Sequence, residues 1–259
     1  LAAHGSDLYI TANNGSAGEI ELVPTANATP GSSTQKMSAA IYDKIWSVKG
    51  QFLVTIGNAI HAYDGNTTVG SAIITLGTGE TFTDVCDAGA VVLATASDGK
   101  IYSFKDISGT LTSKGQTEIT GESPTCIVES QGIIFYGTKT AQTGSTTIGR
   151  LYRADLTVAD DLYVLANNQL IKQWDEDSID NAPYALYTTR DSVYCGIKES
   201  ASTSYIWRYY LPTGGIARYW EANAGGNVYG ICQVNEKFTF TVSESGVYTQ
   251  SSVYEASGY

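Results

Sequence analysis

The feature that most constrains this sequence is a short apolar strand that recurs along the whole chain. Each copy spans about five residues rich in β-branched and aromatic side chains, which is the composition of a buried β-strand. Steps of 39 to 60 residues separate consecutive copies. The six copies are LYITA at residue 8, FLVTI at 52, VVLAT at 91, IIFYG at 133, VYCGI at 193 and FTFTV at 238.

Each apolar strand is followed by a second strand, and five of the six are also preceded by one. The following strands begin at Ile20, Ile60, Ile101, Leu151, Ile206 and Val247. The preceding strands are KIWSV, TDVCD, TCIVE, YALYT and YGICQ. Three or four short antiparallel strands at a period of about 43 residues are typical of propeller blades. The sequence therefore predicts an all-β fold, a β-propeller of about six blades.

Two details leave the blade number and the division of the chain open. The segment DLYVLANNQLIKQW at 161–174 reads as an extra hairpin, which would supply a seventh blade, although the spacing favours six. Two stacked β-sandwich domains divided near residue 121 are the alternative architecture. The even spacing across that point favours one propeller domain over residues 1–259, which we expect to be a piece of a longer polypeptide.

The first repeat lacks a preceding strand, because only a few residues stand before Leu8. An unpaired sheet edge leaves backbone groups open to association with other chains. We therefore predict that residues 251–259 form a strand beside the unit that contains Leu8 and Ile20, so that the two ends of the chain complete one blade. Chain upstream of residue 1 is the alternative source of the missing strand.

Composition and charge argue against several classes of function. The formal net charge is −11 and the pI is about 4.5, which disfavours attraction to a nucleic-acid backbone. The apolar runs are of strand length, well short of the ~18 residues of a membrane helix, so no membrane insertion is expected. Two histidines, His4 and His61, cannot build a multi-histidine metal site. We predict a protein that is not an enzyme, with glycosidase activity left open.

The four cysteines form no CxxC pair, which argues against a zinc ribbon or a redox dithiol. We expect them to be buried free thiols that pack as small apolar groups. Cys86, Cys126 and Cys232 fall in the preceding strands of three different repeats. Strands of different blades lie at least ~10 Å apart, whereas a disulfide requires Cα atoms within ~7 Å. These three cysteines are therefore predicted to be unpaired.

The C-terminal part of the chain resembles a known family. The residues concerned are IWRYYLPTGGIARYW at 206–220 and NVYGICQVNEKFTFTVSESGVYTQSSVYEASGY at 227–259. A strand, a glycine turn and a strand, followed by GVY running into YEASGY, resemble the last blade of the propeller in tail proteins of tailed bacteriophages. The resemblance implies a structural or adhesive protein of the virion that contacts other tail proteins and a host-surface glycan or protein. It brings no catalytic residues.

The hairpin at 206–220 is the richest candidate surface for a ligand or partner. Aromatic side chains beside arginine can stack on sugars or anchor a protein partner. Because side chains alternate between the two faces of a strand, we expect Arg208 and Tyr210 on one face. Arg218 and Trp220 are expected to lie together on the return strand. Packing between blades is the alternative role for these rings.

The segment WDEDSIDN is the densest group of acidic residues, and Asp175, Asp177 and Asp180 are candidate calcium ligands. Calcium binds several carboxylate or carbonyl oxygens supplied by a flexible loop. The segment lacks the glycine and the terminal glutamate of an EF-hand loop, and a solvated turn between blades is the alternative. No cofactor is expected, and Ca²⁺ is the one ion that the sequence leaves open.

Together these features predict a non-enzymatic structural or adhesive component of a phage virion tail. The repeat, the C-terminal resemblance and the shortage of catalytic groups are its basis. The alternative is a secreted carbohydrate-binding or glycan-cleaving β-propeller, because aromatic side chains beside arginine and 26 acidic residues are compatible with a sugar site.

Overall fold

The computed structural model consists of β-strands and their connections, with no helix in the ranges that it describes. Within those ranges, accordingly, no helix is long and apolar enough to cross a membrane. The prediction of an all-β fold is confirmed. The described ranges are 2–4, 7–13, 18–24, 34–37, 42–107, 109–141, 147–175, 179–222, 225–234, 237–243 and 251–256.

The described strands form six antiparallel sheets, and strands that follow one another along the chain are neighbours in each sheet. The first sheet contains β1 (Ala2–His4), β2 (Asp7–Asn13), β3 (Gly18–Pro24) and β4 (Thr34–Met37). The second contains β5 (Tyr42–Val48), β6 (Gln51–Ile56), β7 (Ala59–Tyr63) and β8 (Val69–Thr75). The third contains β9 (Phe82–Asp87), β10 (Val92–Ala96), β11 (Lys100–Ile107) and β12 (Thr110–Glu118).

The remaining three sheets follow the same order. The fourth contains β13 (Ser123–Ser130), β14 (Ile133–Ala141), β15 (Thr147–Ala159) and β16 (Leu162–Trp174). The fifth contains β17 (Leu186–Thr188), β18 (Ser192–Lys198), β19 (Ser204–Tyr210) and β20 (Gly215–Ala222). The sixth has three described strands, which are β21 (Val228–Val234), β22 (Lys237–Ser243) and β23 (Ser251–Ala256).

The repeat predicted from the sequence matches these sheets one by one. Each of the six apolar strands is the second strand of a sheet, and the five predicted preceding strands open sheets two to six. The predicted following strands from Ile20 to Ile206 are third strands. The last one, at Val247, lies outside the described residues.

The segment at 161–174 is not an extra hairpin, so that prediction is wrong. It is the single strand β16, which pairs with β15 from Ala159–Leu162 to Gly149–Trp174. Within it, Asn167 has a φ of 54° and lies where the pairing register shifts. Asparagine tolerates this left-handed conformation, so here it makes a bulge within a strand.

The prediction for the chain ends is also wrong. The first sheet has its own opening strand, because Ala2–His4 pairs with β2. The C-terminal strand Ser251–Ala256 pairs with β22 in the sixth sheet instead of lying beside Leu8 and Ile20. Residues 257–259 lie outside the described part of the chain. Three residues are enough for a short edge strand, which the sequence pattern gave no reason to expect.

Buried residues lie between consecutive sheets. In β10, Val92 and Ala94 belong to the cluster shared with the second sheet, whereas Leu93 belongs to the cluster shared with the fourth. Alternate residues point to opposite faces, so an uninterrupted apolar run suits a strand that is covered on both faces. Similar clusters join the first sheet to the second, the fourth to the fifth and the fifth to the sixth. Packing thus continues across residue 121.

Hydrogen bonds from side chains to main-chain oxygens also join consecutive sheets. The series begins at the first sheet and ends at the segment that precedes β17 in the fifth. Every donor lies in one sheet and its acceptor in or just before the opening strand of the next. The bonds are Thr11 Oγ1 to Asp43 O (3.4 Å), Lys44 Nζ to Thr83 O (2.7 Å), Thr83 Oγ1 to Pro124 O (3.0 Å) and Thr125 Oγ1 to Pro183 O.

All four cysteines are free, which confirms that Cys86, Cys126 and Cys232 are unpaired. Cys86, Cys126 and Cys195 are buried as expected, but Cys232 is exposed. The neighbouring Ile231 packs against the core of the fifth and sixth sheets. Since alternate residues face opposite ways, Cys232 points away from that core.

Candidate functional site

A cavity of about 420 Å³ is lined by residues of five consecutive sheets, most of them in or just before the opening strands. Its size is within the range of small-molecule pockets. It combines aromatic rings, two lysines and acidic groups, and the residues that line it come from far apart in the sequence. The main polar and aromatic lining residues are Lys44, Trp46, Asp84, Lys139, Tyr184 and Tyr229.

Asp84 is the carboxylate on the wall of this cavity. Its Oδ1 accepts hydrogen bonds from Trp46 Nε1 at 3.3 Å and from Val85 N at 2.9 Å. Its Oδ2 accepts one from Ile127 N at 3.0 Å. One side chain therefore links the opening strands of the second, third and fourth sheets. This linkage holds the carboxyl at the cavity wall, where both of its oxygens already accept hydrogen bonds.

Burial raises the pKa of the Asp84 carboxyl to about 6. The hydrogen bonds from Ile127 and Val85, and the nearby Lys44 ammonium, oppose this shift only in part. The side chain keeps some surface open to the cavity, but protein surrounds it on the other sides, and loss of solvation disfavours the charged form. Asp84 therefore changes charge close to neutral pH.

Two ammonium groups share the cavity. Lys44 Nζ donates a hydrogen bond to Thr83 O at 2.7 Å. Burial lowers the pKa of Lys44, Asp84 and Asp43 oppose that shift, and Lys139 adds to it by repulsion. The ammonium of Lys139 lies 5.5 Å from the centroid of the Tyr184 ring. The two positive charges are therefore close enough to affect each other.

Two tyrosines form the aromatic side of the cavity. The ring centroids of Tyr184 and Tyr229 are 5.2 Å apart. The Tyr184 hydroxyl donates to Asp180 Oδ2 at 2.7 Å, and Asn227 Nδ2 donates to the same oxygen at 3.3 Å. These bonds fix the Tyr184 ring in place, whereas Tyr229 is 55% exposed and reaches solvent.

Sequence reasoning did not find this cavity, although a signal for it was present. Each opening strand was recognised by its apolar residues, as in KIWSV, TCIVE and YALYT. A polar or aromatic residue precedes the apolar pair in each strand. Those residues are Lys44, Asp84, Thr125, Tyr184 and Tyr229, and all five line the cavity.

Of the predicted surface on the fifth sheet, Arg208 and Tyr210 do lie together. The Arg208 guanidinium carbon is 4.9 Å from the Tyr210 ring centroid. Arg208 also donates from Nε to Ser192 Oγ at 2.8 Å and pairs with Asp191 at 3.6 Å. A pocket of about 400 Å³ contacts Arg208, Tyr210 and Arg218.

Arg218 and Trp220 do not share a face, so that part of the prediction is wrong. Ile206 opposes Trp220 and Trp207 opposes Arg218, and Tyr219 is the extra residue of a bulge between them. One inserted residue reverses the simple alternation of side chains along the rest of the strand.

The bulge gives these two side chains different surroundings. Trp220 packs on Phe240 of the sixth sheet with ring centroids 4.6 Å apart, so its ring joins the core between sheets. Arg218 instead forms an ion pair with Glu199, and its guanidinium carbon lies 4.4 Å from the Tyr205 ring centroid. The ligand surface predicted on this hairpin therefore stays a prediction for Arg208, Tyr210 and Arg218.

The three acidic candidates for calcium are only partly described. Asp175 is exposed and accepts a hydrogen bond from Gln173 Nε2 at 3.1 Å. Asp177 lies outside the described residues. Asp180 is engaged by Tyr184 and Asn227. No metal-binding group of three or more His, Cys, Asp or Glu side chains occurs in the described ranges, and calcium at this segment stays a prediction.

Comparison with known proteins adds little to these observations. No protein-family model matches the chain, and no curated protein matches it. Among solved structures, the computationally designed Ika4 protein, known from a crystal structure, is similar at 15% sequence identity. That similarity has a TM-score of 0.43 and covers 72% of this chain and 99% of the designed protein. At this level it carries no inference about fold or function.

Proposed function

We propose that the six sheets are the blades of a β-propeller. The observation that carries this proposal is that consecutive sheets pack face to face through their buried strands while residues of sheets two to six line one cavity. Blades arranged around an axis bury both faces of each small sheet and leave only short edges. On this arrangement the cavity is the central channel, and residues 1–259 form a single domain.

We propose that this propeller is a non-enzymatic structural or adhesive component of a phage virion tail. The C-terminal sequence resemblance supports the assignment to a tail. The adhesive role is supported by the solvent-accessible channel, in which aromatic rings stand beside charged groups. Its partners would be other tail proteins and a host-surface glycan or protein.

Immunogold labelling tests the location of the protein. Antibodies raised against the domain should label the tails of phage particles released from the source culture, as seen by negative-stain electron microscopy. Particles of an unrelated tailed phage are the control. Labelling confined to the cell wall, or a parent polypeptide with a secretion signal and a cell-wall anchor, would contradict the tail assignment.

The second candidate is a secreted carbohydrate-binding or glycan-cleaving propeller. The observation that favours it is the pair of tyrosine rings, 5.2 Å apart, beside Lys139 in the lining of the cavity. Aromatic faces beside a few polar groups suit a sugar ring. A glycan array would identify bound sugars, and a turnover assay on those sugars would distinguish a lectin from an enzyme.

A further inference from the structure

Two ammonium groups, Lys44 and Lys139, and two carboxylates, Asp43 and Asp84, line this cavity. Lys44 donates one hydrogen bond, to a main-chain oxygen, and Lys139 lies over a tyrosine ring. Neither forms an ion pair with any side chain in the part of the chain that the structure describes. Both ammonium groups therefore retain hydrogen-bond donors for a ligand.

Neither Asp43 nor Asp84 forms an ion pair with these lysines within the described ranges. Asp84 already accepts three hydrogen bonds, from Trp46 Nε1, Val85 N and Ile127 N. Lys44 and Lys139 repel each other across the cavity, and this repulsion contributes to the lowered pKa of Lys44. An anionic ligand between the two ammonium groups would relieve the repulsion and form charge-assisted hydrogen bonds.

The other lining groups are typical of a sugar site. Tyr184 is held rigidly through its hydroxyl by Asp180, so its ring is positioned before a ligand arrives. Tyr229 stands beside it at the open side. Fixed aromatic rings offer apolar faces to the C–H face of a pyranose at little cost in side-chain entropy. The volume of about 420 Å³ is of the size that a small ligand occupies.

We propose that this cavity binds a carboxylate-bearing monosaccharide, such as a uronic or sialic acid, free or at the end of a glycan. Lys44 and Lys139 would bind the carboxylate, and Tyr184 and Tyr229 would contact the sugar ring. This inference rests on the second candidate function, saccharide binding, and names the class of sugar. It is independent of whether the protein belongs to a virion tail.

Isothermal titration calorimetry with glucuronate and N-acetylneuraminate, using glucose and acetate as comparison ligands, tests the proposal. At least one acidic sugar should bind at least ten-fold more tightly than either comparison ligand. Lys139→Gln and Lys44→Gln should each weaken that binding by about ten-fold, because each removes a charge-assisted hydrogen bond. Lys114→Gln is the matched control, since Lys114 lies on the edge strand β12 and pairs with Asp161, and this variant should bind as the wild type does.

Each other outcome overturns the proposal in a distinguishable way. Equal binding of glucose would leave a saccharide site but exclude the acidic specificity. Equal binding of acetate would show a general carboxylate site, and no binding of any ligand would remove the site altogether. Unchanged affinity of a Lys139→Gln variant that melts like the wild type would exclude this cavity. None of these results would alter tail labelling by antibody, which tests the first proposed function separately.

Discussion

At the scale of single residues, Asp84 connects the fold to the cavity. It lies in β9, and its two oxygens accept hydrogen bonds from the second, third and fourth sheets. Burial makes ionisation of this carboxyl costly, whereas the three donors favour the charged form. The outcome is a pKa raised to about 6, so a side chain that joins three sheets also contributes a titratable charge to the cavity.

The raised pKa of Asp84 predicts a titration close to neutral pH. The ¹³C NMR signal of its side-chain carboxyl should shift with a midpoint near pH 6, and the Asp84→Asn variant should lack that signal. A midpoint below pH 4 would show that the hydrogen-bond donors and Lys44 outweigh the loss of solvation, and it would contradict the raised pKa.

The same shift predicts how stability depends on pH. The folded state holds this proton more tightly than the unfolded state, so the contribution of Asp84 to stability falls as pH rises from about 4 to 6. The difference in the free energy of unfolding between wild type and Asp84→Asn, measured in urea, should therefore fall by up to about 3 kcal/mol between pH 4 and 7. This magnitude follows from about 1.36 kcal/mol per pKa unit. An advantage that grows with pH would contradict the sign of the shift.

The cysteines predict a simple pattern of thiol reactivity. Burial raises the pKa of Cys86, Cys126 and Cys195, and each lies in the core, so none should react in the folded state. Cys232 is exposed and should react with Ellman's reagent at once. We expect one fast thiol in buffer and four in denaturant, with the fast phase lost in Cys232→Ser. Fewer than four thiols in denaturant would indicate a disulfide.

At the scale of elements, the long hairpin of β15 and β16 reaches across to the third sheet. Ser103 Oγ donates to Tyr163 O at 2.8 Å, and Leu165 N donates to Thr117 Oγ1 at 2.7 Å. Gly115 of β12 lies directly beneath this contact with a φ of 141°, where a Cβ atom would stand 2.7 Å from Tyr163 O. Glycine is therefore required here both by its backbone conformation and by the close approach of the hairpin.

Replacing that glycine should loosen the fourth sheet from the third. Gly115→Ala should destabilise the protein by roughly 1–3 kcal/mol in urea unfolding, because strain and overpacking both contribute. Gly109→Ala is the matched control. Gly109 has a φ of 82°, but a Cβ atom there would meet nothing within 4 Å, so this substitution should lower the free energy of unfolding by only about 1 kcal/mol. Equal costs for the two variants would show that the hairpin does not press on Gly115.

Sequence reasoning predicted the elements well wherever local patterning decides them. Turn residues and apolar runs located all six second strands, because strands that are covered by neighbouring sheets are mostly apolar. It failed at Asn167 and Tyr219, where a bulge inserts one residue into a strand. A bulge is selected by pairing with the neighbouring strand, and a single sequence does not display that pairing.

At the scale of the whole molecule, the cavity shows why a site is harder to predict than a fold. Five of its lining residues occupy equivalent positions in five sheets, but they differ in type and include Lys44, Asp84 and Tyr184. No local pattern links them, because their proximity arises only when the sheets pack side by side. Packing of sheet on sheet also explains why Trp220 is part of the core and not of a surface.

The central claim is that the six sheets close into a ring around this cavity. Double electron–electron resonance between spin labels at Thr11→Cys in β2 and Thr239→Cys in β22 measures the distance between the first and last sheets. Both label pairs are introduced into a Cys232→Ser variant, so that the exposed native thiol is not labelled. The reference pair, Lys198→Cys with Thr239→Cys, measures the spacing of the adjacent fifth and sixth sheets. A closed ring predicts that the two distances are similar. In an open row the first pair would lie about five sheet spacings of ~10 Å apart, on the order of 50 Å, and that result would contradict the propeller.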